Sequence, residues 1–141
     1  IALPSEPAPD GPSHTAACLR PSALRPLDGA PTGLVLAPID EGAHILAFTR
    51  HSVVAAPYHR NNVGNRSSVD TFLAAPEDAR KIALASGANY LVACTQMKPM
   101  EIMARRAPEG LAAALIARHI PDWLEPLDSK ASPNTMYRIR R

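Results

Sequence analysis

Three short apolar runs limit how this chain can fold: 33-GLVLAP-38, 52-SVVAAP-57 and 89-NYLVACT-95. Each is too short for a helix and is bounded by turn or cap residues. None alternates apolar with polar residues. A strand that is apolar on both faces needs cover on both faces, as in a parallel sheet flanked by helices.

The intervening segments read as those helices. In 40-DEGAHILAFT-49, Asp40 stands where an N-cap is expected and Ala43, Ile45, Leu46 and Phe48 follow. Ser68 is placed to cap a helix through Val69, Phe72 and Leu73. The stretch 76-PEDARKIALASG-87 opens on Pro76, sets Glu77 and Asp78 at the positive end of the helix dipole, and stops at Gly87. Residues 100–106 suggest a further turn or two, and 108-PEGLAAALIARH-119 another helix started by proline. Last, 123-WLEPLD-128 and 135-TMYRIRR-141 predict an antiparallel pair across the turn-rich 129-SKASPN-134. The expected fold is α/β, with a small, mostly parallel sheet of about three strands flanked by helices. Residues 52–57 form a central strand, and the antiparallel pair closes the chain.

Fifteen prolines punctuate the chain, and many precede residue 32. Residues 1–20 therefore read as an extended leader or linker, and 21–141 as a single α/β domain. With 46% hydrophobic residues but only 4% aromatic, the core must be built of Ala, Leu, Val and Ile. A formal charge of +2 excludes nucleic acid as an expected partner. No apolar run approaches the roughly 20 residues of a membrane helix, so the piece reads as soluble. Cys18 and Cys94 belong to no CxxC or Cys/His cluster, which excludes a zinc site. Two readings stay open for them: buried free thiols, or a disulfide that pins the leader to the end of a core strand.

Open parallel sheets bind ligands beyond the carboxyl ends of their strands. Three segments are expected there: 38-PIDEG-42, 57-PYHRNN-62 and 94-CTQMK-98. They bring Asp40, Glu41, Tyr58, His59, Arg60, Asn61, Asn62 and Lys98, with His51 just ahead of the second strand. A carboxylate beside an imidazole suits acid–base work, and the Arg60 fork suits a phosphate or carboxylate. The plainer reading is a polar loop that satisfies strand-end backbone groups. No phosphate loop, dinucleotide fingerprint, nucleophile elbow or zinc helix occurs, so no cofactor and no metal are expected. Trp123 reads as a side chain packed on the sheet, and Asn65-Arg66-Ser67 is a glycosylation tripeptide of a kind that often arises by chance.

Taken together, 34-LVLAPIDEGAHILAFTRHSVVAAPYHRN-61, 89-NYLVAC-94, 121-PDWLEPL-127 and 136-MYRIR-140 resemble one known family. It comprises the soluble C-terminal domains of bacterial polytopic inner-membrane proteins related to GT-C glycosyltransferases, which use lipid-linked sugars. The resemblance spans residues 18 to 141, and APYHRN is its most specific piece. It implies a periplasmic domain tethered behind membrane helices, with the membrane-embedded part of the same polypeptide as its partner and a lipid-linked sugar or phosphate within reach. It also implies a Cys18–Cys94 disulfide, since the periplasm is oxidising. Catalytic carboxylates of such enzymes lie in the membrane part. The resemblance therefore implies a non-catalytic accessory domain whose candidate docking or ligand-contacting residues are Asp40, His51, Tyr58, His59, Arg60, Asn61 and Asn62. The rival reading is a small standalone hydrolase or transferase for a phosphorylated or acidic metabolite, with Asp40, His59 and Arg60 converging.

Overall fold

The computed structural model describes residue 18 and residues 20–55, 62–127 and 135–141. Five strands form one mixed sheet in the order β2-β1-β3-β5-β4. They are β1 (Leu34–Leu36), β2 (Ser52–Val53), β3 (Tyr90–Ala93), β4 (Leu124–Pro126) and β5 (Thr135–Ile139). β2, β1 and β3 are parallel, and β5 and β4 extend the sheet antiparallel from β3. The expected C-terminal antiparallel pair is present, and it joins the sheet through β5. Met136 and Tyr137 pair with Val92 and Leu91, which gives β3 a second buried neighbour.

Alternation along the strands divides the core into two faces. Leu36, Leu91, Ala93, Tyr137 and Ile139 point to one side. There they meet Phe72 of α3 (Asn62–Leu73), Ala79 and Ala83 of α4 (Pro76–Ala85), Met100 of α5 (Lys98–Arg106), and Leu111 and Leu115 of α6 (Leu111–Ile116). Val35, Tyr90, Val92 and Met136 point to the other side. They meet Leu24 of a 3-10 turn (Pro21–Leu24), Leu27 of α1 (Arg25–Asp28) and Ile45 of α2 (Ile39–Phe48). The result is three layers with the sheet in the middle. Trp123 is buried in the larger cluster, as its apolar bulk requires.

Three expectations are corrected. The run 52–57 is not a central strand: β2 lies at the edge, its ladder ends after Val53, and Val54 and Ala55 are buried beyond it. The chain leaves β1 through α2 to reach β2, then returns through α3 and α4 past β1 to β3, which leaves β1 in the middle. Asp40 is not the cap of α2, because Pro38 fills that position and Asp40 and Glu41 both lie in the first turn. Ser68 does not start a helix. It sits inside α3, buried, where its hydroxyl donates to the Ala37 carbonyl at 2.5 Å. Gly87 does end the α4 segment, at φ +82°, the left-handed conformation that glycine adopts without strain.

Candidate functional site

α2 and α3–α4 leave the carboxyl ends of β1 and β2 on opposite faces of the sheet, and β3 lies on the far side of β1 from β2. The gap between the carboxyl ends of β1 and β3 is therefore a topological switch point, the place where open α/β sheets hold ligands. Here Glu41 occupies it. From the first turn of α2 its side chain reaches across to β3's end, and Oε1 accepts the Cys94 backbone N–H at 2.7 Å. The residue is 1% exposed, and among the described residues Oε2 has no hydrogen-bond partner. Burial pushes the carboxyl up to about 8, with the negative Asp40 next to it adding to the rise and the Cys94 N–H opposing it. The raised value favours the protonated, uncharged carboxyl at neutral pH.

Among the described residues, a disulfide and a further polar contact lie at this end. Cys94 is joined to Cys18 by a disulfide, with Cα atoms 5.9 Å apart and both residues fully buried. Ser68 takes the Ala37 carbonyl just beyond β1. The first and third expected segments therefore do meet, through Glu41 and Cys94. Asp40 lies one residue away but is exposed to solvent. Asn62 opens α3 and is exposed. Tyr58, His59, Arg60 and Asn61 lie outside the described residues, so the convergence of Asp40 with His59 and Arg60 does too.

His51 stands at the opposite, amino end of the parallel strands. Its Nδ1 accepts the Gly33 N–H at 3.1 Å, which leaves Nε2–H to donate to the Leu27 carbonyl at 2.6 Å. The ring also meets Tyr90 edge-on at 5.1 Å. Both nitrogens serve backbone groups, so in this arrangement His51 binds α1 to the start of β1 and is not brought to Asp40. A shallow cleft of about 470 Å³ beside the α3–α4 and α5–α6 turns is lined by Leu73, Ala75, Ala107, Pro108, Glu109 and Gly110. Its single ionisable side chain is Glu109. Among the described residues no group of three or more His, Cys, Asp or Glu is placed to hold a metal. No described helix is long and apolar enough to cross a membrane.

Sequence reading selected Asp40 over Glu41 for the site. Helical spacing carried the signal it needed: Glu41 is four residues from buried Ile45, whereas Asp40 is four from His44, which meets its backbone carbonyl near the surface.

This is a mixed α/β domain with a filled switch point at the carboxyl ends of its parallel strands. No family model matches the chain, and no curated protein matches it. Among solved structures it is similar to the C-terminal globular domain of an oligosaccharyltransferase from Archaeoglobus fulgidus. The TM-score is 0.57 at 17% identity, covering 81% of this chain and 89% of that one. At that identity the likeness is one of fold.

Proposed function

We propose that the chain is an extracytoplasmic accessory domain of a membrane glycosyltransferase-like protein. In this role it shapes or covers a membrane-embedded site, or contacts the lipid-linked substrate, and performs no bond-breaking of its own. The observation that carries this reading is the fold likeness to a domain of an oligosaccharyltransferase over most of both chains. The sequence resemblance to soluble domains of GT-C-related proteins points the same way. The disulfide supports it independently, since such bridges persist in oxidising compartments. A built-in plug at the switch point also suits a domain whose chemistry lies elsewhere. Glu41, the side chain that reaches the switch point, is buried and bonded to the Cys94 N–H, and Asp40, the carboxylate of the standalone-enzyme reading, is exposed to solvent. We place the domain on the periplasmic side of a bacterial inner membrane, with the membrane part of its own polypeptide as partner.

The test is to express the full gene and prepare sealed membrane vesicles of both orientations. Protease added outside should release a disulfide-bonded fragment containing residues 18–141 from right-side-out vesicles only. Release from inverted vesicles only, or recovery of both cysteines as free thiols, overturns the placement. Metabolite phosphatase or transferase activity in the isolated domain, lost on changing Asp40, overturns the accessory role.

A further inference from the structure

Among the described helices, α5 alone carries more cations than acids: Lys98, Arg105 and Arg106 stand against Glu101. α1, α3 and α4 balance, and α2 carries only acids. Helical spacing sets Lys98, Ile102, Arg105 and Arg106 on one side of α5, at i, i+4, i+7 and i+8, away from the buried Met100. All four are exposed, and Ile102 is 48% exposed in their midst. Arg105 donates to Glu101, so its charge is met within the helix. Lys98 and Arg106 have no ion-pair partner among the described residues. The next acid, Glu109, lies beyond the helix and lines the shallow cleft. Arg106, in the last turn, complements the negative end of the helix dipole. Lys98 does the opposite: it opens the helix, at the positive end, where a cation is unfavourable. Its place therefore needs a partner outside the helix. α6 packs on α5 and leads into exposed Ile116 and Arg118, which repeat the same pairing of apolar and basic side chains.

We propose that this face of α5 rests on the anionic headgroup layer of a lipid bilayer. Lys98 and Arg106 lie against lipid phosphates, and Ile102 enters the boundary between headgroups and acyl chains. The inference deepens the accessory-domain reading and rests on it, since a membrane part of the same polypeptide holds the domain at that surface. Tethering of this kind makes a weak contact sufficient, because the second encounter is intramolecular. Charge complementarity selects the occupant. A single-stranded nucleic acid calls for stacking aromatics, and this face has none. An acidic protein surface supplies partners for the cations but sets Ile102 against charge. A bilayer interface alone places anions over apolar carbon, in the order in which Lys98, Ile102 and Arg106 present themselves. Each basic side chain held near such a surface raises binding about fivefold, and the gain fades with salt.

The experiment sediments the full 141-residue chain with sucrose-loaded vesicles of phosphatidylcholine, with and without about 30% phosphatidylglycerol, at about 25 and 150 mM salt. The chain should partition at least about tenfold more strongly onto the anionic vesicles at low salt, and lose most of that preference at high salt. Lys98→Gln/Arg106→Gln should weaken the partition about tenfold or more, and Ile102→Ser about threefold or more. Arg25→Gln/Arg138→Gln removes the same charge from exposed residues on the other face of the sheet and should change it less than about twofold. All these side chains are exposed, and far-ultraviolet circular dichroism confirms that each variant is folded. Equal sedimentation with both kinds of vesicle, or an equal loss in the Arg25/Arg138 variant, overturns the proposal. So does retention by neither, the result expected if α5 meets an acidic protein surface instead. None of these outcomes reads membrane orientation, which the protease test measures separately, so the surface contact and the accessory-domain placement fail independently.

Discussion

Replacing Glu41 by Gln should stabilise the protein at neutral and mildly alkaline pH, an unusual outcome for a change at a fully buried, hydrogen-bonded position. Gln keeps an oxygen to accept the Cys94 N–H, and it cannot ionise. The native carboxyl is raised from 4.5 to about 8 on folding. Between these values the unfolded chain has released the proton and the folded chain still holds it. The unfolded state therefore binds fewer protons, and stability falls as pH rises from 4.5 to about 8. Below that window the contribution is fully present, and above it nothing further is lost. The difference sets a ceiling of roughly 4–5 kcal/mol on the native chain's loss. That is a large part of the 5–15 kcal/mol typical of a domain. Glu41→Gln should match the native chain within about 1 kcal/mol at pH 5, since a buried amide N–H left unpaired costs about that much. At pH 8 it should exceed it by about 2–4 kcal/mol. Urea unfolding of both proteins, followed by Trp123 fluorescence at pH 5, 6.5 and 8 under non-reducing conditions, measures this directly. Parallel pH dependences in the two proteins, or a Gln variant weaker than native at pH 8, would refute the reasoning.

The disulfide closes a sequence separation of 76 residues, so the Cys18→Ser/Cys94→Ser double variant should lose about 2–4 kcal/mol in calorimetry without reductant. An unchanged melting temperature would show that the bridge does not constrain the unfolded chain. Arg118 ends the α6 segment in the left-handed region at φ 63° and is exposed. Arg118→Gly should relieve about 1 kcal/mol of backbone strain, offset in part by glycine's freedom when unfolded, for a net gain of about 0.5 kcal/mol in urea titration. Gly110 sits so close to α3 that an added Cβ would lie 2.6 Å from the Leu73 carbonyl oxygen. Gly110→Ala should cost about 1–3 kcal/mol and speed amide exchange at Leu111, whose N–H donates to the Ala74 carbonyl.

Much of the fold was legible because its signals are local. An apolar run between Gly33 and Pro38 marks β1, one between Asn89 and Thr95 marks β3, and Pro76, Glu77, Asp78 and Gly87 bracket α4. What stayed hidden depended on partners distant in sequence. That β5 would join β3 rests on a pairing across more than forty residues, and an alternating strand is equally content in an isolated hairpin. Ser68 looked like a cap because its best partner, the Ala37 carbonyl, is 31 residues away. The site shows the same limit in sharper form. Asp40 and Glu41 are adjacent and chemically alike, and composition cannot choose between them. The helix turns one toward solvent and the other toward β3, so one remains an ordinary surface carboxylate. The other becomes a neutral plug.

That plug changes what the switch point can mean in this molecule. In an enzyme of this topology the crevice between the diverging connections stays open for a ligand. Here a side chain of the protein's own reaches into it and accepts the Cys94 N–H, and a disulfide joins that same residue to Cys18. Among the described residues, the gap between β1 and β3 is thus taken up by Glu41, which bonds the Cys94 N–H. A buried carboxyl costs stability with every rise in pH between 4.5 and about 8. An apolar side chain of similar size would fill the gap without that cost, although it would leave the Cys94 N–H unpaired. The Glu41–Cys94 contact therefore does something that packing alone does not require: it ties the first turn of α2 to the carboxyl end of β3 through a group whose contribution to stability falls as pH rises.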